Sequence, residues 1–172
     1  EQAGIATQVV DHKQYNSRES FDTALQTAID KHSPDLVVLA GFMRILTPTF
    51  VRSYHGRMLN IHPSLLPKYQ GLHTHKRALE AGDKIHGVSI HYVSEELDGG
   101  PIVVQAQVPV LDKDTEVTLA QRIHSQEYLI YPLVIEWLAT GRLHFQQDKP
   151  FLDNEPLPSQ GHQINNFVEP DK

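Results

Sequence analysis

Two hydrophobic periods alternate along this chain, and the points where one gives way to the other divide it into elements. Asp35-Leu36-Val37-Val38-Leu39-Ala40 is a continuous apolar run, the pattern of a parallel strand covered on both faces. Val88, Ile90 and Tyr92 alternate with Ser89, His91 and Val93, and Val103, Gln105 and Gln107 alternate with Val104, Ala106 and Val108. Segments 88–93 and 102–110 therefore read as strands. They follow each other closely enough to pair antiparallel. Phe21, Leu25, Ala28 and Ile29 recur at helical spacing behind Ser17, a good cap, and Ser33-Pro34 ends that helix after about His32. Thr47-Pro48 opens a short helix with Thr as cap and Pro at its first position. His73 to Ala81 reads as a helix closed by Gly82. Thr115 to Thr140 reads as a long helix with a kink near Pro132 and a stop at Gly141. Arg142 to Gln146 has the pattern of an edge strand, Ile5 to Val10 that of a short buried strand, and Glu1 to Gly4 that of a helix end.

Strand and helix alternate in the first half, which predicts an α/β fold. The expected form is a Rossmann-like, mainly parallel twisted sheet with helices on both faces and some antiparallel strands near the C-terminus. Residues 1–147 are expected to form one domain. Residues 148–172, rich in Pro, Asn and Gln, are expected to be an irregular tail.

In open α/β sheets, sites form beyond the carboxyl ends of the strands. Three unusual segments fall there. Met58-Leu59-Asn60-Ile61-His62 is strand-like and is stopped by Pro63 and Pro67. Residues i and i+2 of a strand share a face, so Asn60 and His62 project together, as a reaction centre or as a capped strand end. Phe42-Met43-Arg44-Ile45-Leu46 reads as the wall of an apolar slot for a flat heterocycle, or as a plug closing the sheet. Ser94-Glu95-Glu96-Leu97-Asp98-Gly99-Gly100 is an acidic turn whose glycines permit close backbone approach or a tight bend. A carboxylate beside His62 would favour the imidazolium, a cationic donor to an oxyanion. Arg18, in the first turn of its helix, is badly placed for the helix dipole, which hints at a functional role.

Composition narrows the chemistry. No cysteine is present, which removes disulfides and thiolate metal sites and fits a reducing compartment; a cytoplasmic location is expected. The net charge is −6 with no clustered basic patch, so neither nucleic acid nor membrane is an expected partner. Among the 11 histidines, His62, His73, His75, His86 and His91 lie close in sequence and raise the question of zinc or iron. His73 and His75 lack the i, i+4 spacing of a helical metal pair, and no metal is expected. His32 and His86 read as surface or capping residues, and His91 as either a site wall or a satisfied core histidine.

Asn60-Ile61-His62-Pro63-Ser64-Leu65-Leu66-Pro67-Lys68-Tyr69, then Gly71-Leu72-His73-Thr74-His75, then Leu97-Asp98-Gly99-Gly100-Pro101 resemble the glycinamide ribonucleotide formyltransferase family. The resemblance runs from about Gly4 to about Leu157. The Asn, His and Asp signature is common to formyltransferases and formyl hydrolases, and Gly-Leu-His-Thr-His is the more specific part. Methionyl-tRNA formyltransferases have a segment like Gly-Ala-Ala-Pro-Ile there, and formyltetrahydrofolate hydrolases look like Asn-Ile-His-His-Ser-Phe-Leu-Pro.

The resemblance implies formyl transfer from 10-formyltetrahydrofolate, a co-substrate, to glycinamide ribonucleotide in purine synthesis, with no resident cofactor. The alternative is a formyltetrahydrofolate hydrolase or another folate-dependent formyltransferase. The family's catalytic trio falls on Asn60, His62 and Asp98. Its folate pocket falls on Arg18, Met43, Arg44, Ile45, Leu46, Asn60 and the loop Ser94, Glu95, Glu96, Leu97 and Asp98. Its ribonucleotide contact falls on Glu127, which by itself reads as a solvated position on the long helix. A monomer or weak homodimer is expected. The family also begins with a strand, a Gly-x-Gly-Ser-Asn phosphate loop, a helix and a second strand. A βαβ unit of roughly 30 residues or more is therefore expected ahead of Glu1.

Overall fold

The computed structural model describes residues 3–165. After a turn of 3-10 helix at His12–Gln14, α1 (Arg18–Asp30) leads to β1 (Val37–Leu39), α2 (Pro48–Ser53) and β2 (Met58–His62). Next come α3 (Thr74–Glu80), β3 (Ile85–Tyr92), β4 (Ile102–Pro109) and the long α4 (Glu116–Ala139). The short strands β5 (Leu143–Gln146), β6 (Lys149–Leu152), β7 (Glu155–Pro156) and β8 (His162–Ile164) complete it. The predicted caps form at Ser17 and Thr47, and Thr115 caps the long helix in the same way, each accepting a backbone N–H of the first turn.

The main sheet has the order β1-β2-β3-β4-β8. β1 and β2 are parallel, β2–β3 and β3–β4 antiparallel, and β4–β8 parallel, so the sheet is mixed. Alternation along β2 shows how both faces are covered. Met58 packs with Phe50, Val51 and Tyr54 of the α2 region, while Leu59 packs with Leu119, Ile123, Ile130 and Val134 of α4. Successive strand residues point to opposite faces, so α2 and α4 lie on opposite sides of the sheet.

Three readings from the sequence are corrected. Residues 5–10 form no strand: Ile5 and Val9 are exposed, and no strand in the described residues pairs with them. Val38 is exposed too, so β1 is not covered on both faces as its apolar run implied. Residues 149–164 are not irregular. β6 pairs with β5, and β8 joins the main sheet beside β4. Gln163 in that stretch donates to Gln105 of β4, a bond that composition alone does not reveal. Of the expected helix end, Glu1 and Gln2 lie outside the described residues, as do residues 166–172 of the expected tail.

A buried polar chain ties β8 to the loop after β2. Gln163 donates to Gln105 Oε1 (3.2 Å), and Gln105 Nε2 donates to Leu66 O (2.8 Å) and Ser89 Oγ (2.9 Å). Ser89 Oγ in turn donates to Ser64 O (2.6 Å). Gly87 lets this loop close on the sheet, because a Cβ there would run into Leu65 and the Ala106 carbonyl. The start of α4 is anchored by Arg122, which donates to both Asp114 oxygens at 2.7 and 2.9 Å.

Gln105→Met keeps the volume but leaves Leu66 O without the Gln105 donor and removes one of the two donors to Ser89 Oγ. It is expected to destabilise the fold by about 1–3 kcal/mol in urea titrations. The Arg122 guanidinium holds the Asp114 carboxyl at about 2, below its ordinary 3.8. A depressed carboxyl contributes stability that is complete above its unfolded value and is lost as pH falls through the folded one. The melting-temperature gap between wild type and Asp114→Asn should therefore be open above about pH 5 and close between pH 4 and 2.

Candidate active site

β2 ends at the rim of the sheet with Asn60 and His62 on one face, as the two-residue spacing predicts. The antiparallel register sets Asn60 opposite His91 and His62 opposite Ser89. A bulge in the β3–β4 ladder lies at Ile90/His91, the usual means of re-aiming a side chain next to a site. Beyond β3 the chain turns through Ser94–Gly100 and returns as β4. Gly100 is required here because a Cβ would overlap the Tyr92 carbonyl. The glycine allows the protein's own backbone to approach, and Asp98, at φ 48°, is carried back over the strand ends.

His91 is 2% exposed, and its burial favours the neutral ring. Its Nδ1 lies 3.0 Å from Tyr92 O, which can only accept, so Nδ1 carries the proton. Nε2 then accepts from Asn60 Nδ2 at 3.2 Å. Burial pushes the His91 imidazole below its ordinary value, with the Tyr92 carbonyl and Asp98 opposing. This contact orients the Asn60 amide and leaves its second N–H for a ligand. His91 thus belongs to the site wall, the first of the two readings its sequence position left open.

His62 is also buried. Its Nε2 lies 2.8 Å from Tyr69 O, which can only accept, so Nε2 carries a proton. Nδ1 faces Asp98 Oδ2 at 3.4 Å. Asp98 Oδ2 also accepts the Gly71 N–H at 2.8 Å, and Asp98 Oδ1 lies 3.7 Å from His91 Nε2. Residues 69–71 thus touch both His62 and Asp98. Tyr69 adopts a left-handed φ of 59°, which costs a bulky residue about 1–2 kcal/mol. Neither Tyr69 nor Gly71 was singled out from sequence, because both act through backbone atoms. The positive φ of Tyr69 has no sequence signal.

Two cavities meet at Asn60 and Asp98. A slot of about 110 Å³ is walled by Arg44, Ile45, Leu46, the 94–98 loop and His91. A larger cleft of about 860 Å³ runs past His62, Met43, His124 and Glu127 to Tyr131 of α4. Of the residues assigned to folate, Arg44, Ile45, Leu46, Asn60, Ser94, Glu95, Glu96, Leu97 and Asp98 line the slot, whereas Met43 lines only the larger cleft. Arg18 lines neither. Arg44 instead lies over the ring of Phe21, one turn along α1, at 5.0 Å. Glu127 is half-buried on the cleft wall, and burial raises its carboxyl above the ordinary value, with His124 opposing. The described residues bring no three His, Asp or Glu side chains into a metal-holding group. An amide donor, an imidazole and a carboxylate converge at the mouth of an apolar slot, an arrangement suited to an acyl centre whose oxygen gains charge while a proton leaves the attacking group. In ¹⁵N-resolved NMR, His91 should be a neutral Nδ1–H tautomer at pH 6, where exposed histidines are substantially protonated. An imidazolium signature would contradict the assignment.

Residues 1–135 match the family described as formyl transferase. The chain is 56% identical over 161 residues to a phosphoribosylglycinamide formyltransferase of Escherichia coli (strain K12), covering 94% of this chain and 76% of that protein. It is 47% identical, with the same coverage, to the protein of that name in Haemophilus influenzae. Among solved structures, the phosphoribosylglycinamide formyltransferase of Coxiella burnetii in complex with CHES superposes with a TM-score of 0.90 at 51% identity, over 95% of this chain and 77% of that one. Fold, site geometry and sequence agree: the chain belongs to the formyl transferase family.

Proposed function

We propose that this chain transfers a formyl group from 10-formyltetrahydrofolate to the amino group of glycinamide ribonucleotide. The products are formylglycinamide ribonucleotide and tetrahydrofolate, in purine biosynthesis. The observation that carries this reading is the convergence of Asn60, His62 and Asp98 at the mouth of the slot, in a chain 56% identical to a phosphoribosylglycinamide formyltransferase. The folate is consumed in each turnover, and no resident cofactor takes part.

The roles follow from the chemistry of a formamide. The amine nitrogen attacks the formyl carbon, and the carbonyl oxygen becomes anionic. The second N–H of Asn60 and the Nδ1–H of His62 donate to that oxygen. Asp98, directly or through a water, accepts the proton that the amine sheds. When the intermediate collapses, the bond from carbon to the folate nitrogen breaks. The His62–Asp98 pair returns one proton to that nitrogen, so atoms and charge balance. The apolar wall of Ile45 and Leu46 with the 94–98 backbone takes the flat pterin, and Arg44 and Arg18 take the acidic end of the folate. Met43 closes the adjoining cleft. Glu127 accepts hydrogen bonds from the ribonucleotide.

No helix among the described residues is long and apolar enough to cross a membrane. The net charge of −6 argues against a nucleic-acid surface, and a cytoplasmic location and a monomer or weak homodimer are part of the proposal.

Tetrahydrofolate release from 10-formyltetrahydrofolate should require added glycinamide ribonucleotide. Release without the acceptor would identify a hydrolase and reject the proposal. Asn60→Ala should lower kcat by about 10²–10³, the range for loss of one oxyanion donor. His62→Ala and Asp98→Asn should lower it by at least as much, with unchanged melting temperatures. Wild-type turnover in Asp98→Asn would sink the mechanism.

A further inference from the structure

We infer that Asp83 is a positioning residue for His62, acting by holding Tyr69 in the left-handed conformation that aims its carbonyl at the imidazole. The inference rests on the catalytic role proposed for His62, but its geometry does not.

Asp83 lies in the turn between α3 and β3, away from both cavities. Its carboxylate accepts from two neighbouring residues of the loop after β2. Lys68 Nζ donates to both oxygens at 2.7 and 2.6 Å, and the Tyr69 hydroxyl donates to Oδ2 at 2.7 Å. The same Lys68 and one further cation flank the Tyr69 ring: Lys68 Nζ and the Arg77 guanidinium each sit 5.0 Å from its centroid. Arg77 also donates to Gln70 O at 2.7 Å, which fixes the next peptide. Partial burial pushes the Asp83 carboxyl up, but the hydrogen bonds from Lys68 and Tyr69 outweigh it and hold the group below its ordinary value. It is therefore ionised wherever the enzyme works.

The need for such a clasp comes from the backbone. Tyr69 has a Cβ and a φ of 59°, a state that persists only where surrounding contacts over-determine it. A relaxed Tyr69 would rotate its flanking peptides, and its carbonyl would leave His62 Nε2, now 2.8 Å away. Nothing else in the described structure bonds that ring nitrogen. The proton of a neutral His62 would then be free to sit on Nδ1, and the ring free to turn from Asp98. Gly71, two residues on, would lose its fixed approach to Asp98 Oδ2 as well. One part-buried contact outside the cavities thereby sets the geometry of two buried groups.

The test uses the ¹⁵N-labelled chain and long-range ¹H–¹⁵N correlation of the His62 ring, assigned by its disappearance in His62→Ala. In wild type the neutral ring should be the Nε2–H tautomer. In Asp83→Ala and in Tyr69→Phe it should become a mixture. With 10-formyltetrahydrofolate and glycinamide ribonucleotide, kcat in both variants should fall by about ten- to a hundredfold, the scale of a small misplacement of a reacting group, while both KM values stay within about twofold. Asp83→Asn, which still accepts from the Tyr69 hydroxyl, should restore the tautomer and most of kcat. Tyr69→Phe covers the case in which Asp83→Ala fails to fold. A single Nε2–H tautomer with wild-type kcat in the variants overturns the positioning role. A tautomer that responds in a protein unable to transfer formyl upholds the positioning and rejects the reaction instead.

Discussion

The antiparallel pairing of β2 with β3, in one register, is the constraint on which the site depends. It sets Asn60 against His91 and His62 against Ser89. A slip of one residue would exchange the faces of Asn60 and His62 with those of Leu59 and Ile61. The register is held from both sides of the sheet. Met58 is buried against α2 and Leu59 against α4, so neither can exchange faces without exposing apolar area. Tyr131 adds a polar stitch, its hydroxyl donating to Leu39 O at 2.7 Å and Leu59 O at 3.2 Å, which ties α4 to the ends of β1 and β2.

Given that frame, the reactive groups are oriented by partners that are themselves fixed. His91 is kept neutral by burial, against the pull of the Tyr92 carbonyl and Asp98, and with Nδ1–H directed at Tyr92 O its Nε2 accepts from Asn60. His62 is held by a carbonyl from the following loop, and Asp98 by an amide two residues further along. The loop that supplies both is clamped from beneath by Gln105 and Ser89 and from the side by Asp83. Each of these contacts is modest, about 1 kcal/mol net, yet together they leave the three side chains few alternatives.

The electrostatics divide by role. His75 and His86, 3.2 Å apart between α3 and β3, are both pushed down by burial, His86 to about 4, and so add no positive charge near His62 at neutral pH. Of the five clustered histidines that raised the question of a metal, His75, His86 and His91 are thus held below the ordinary value by burial. His62 is distinguished by its carboxylate neighbour, which no other buried histidine here approaches as closely among the described residues.

The sequence alone determined what local physics controls. Caps at Ser17 and Thr47, the apolar face of α1, the alternation of β3 and β4, and the two-residue spacing of Asn60 and His62 are written in neighbouring residues, and all appear in the structure. The motif resemblance also placed Asn60, His62 and Asp98 together. Local pattern misled where an apolar run found no partner, at Ile5–Val10 and Val38, and where a polar stretch did, at 149–164. Strand formation there depends on the distant chain it meets. Only the tertiary structure decided the roles of His91, Tyr69, Gly71 and Asp83. Those roles rest on cross-strand register, a positive φ and backbone carbonyl and amide groups, and every residue type carries the same backbone atoms, so nothing in the side-chain sequence reveals which of them will be aimed at a neighbour.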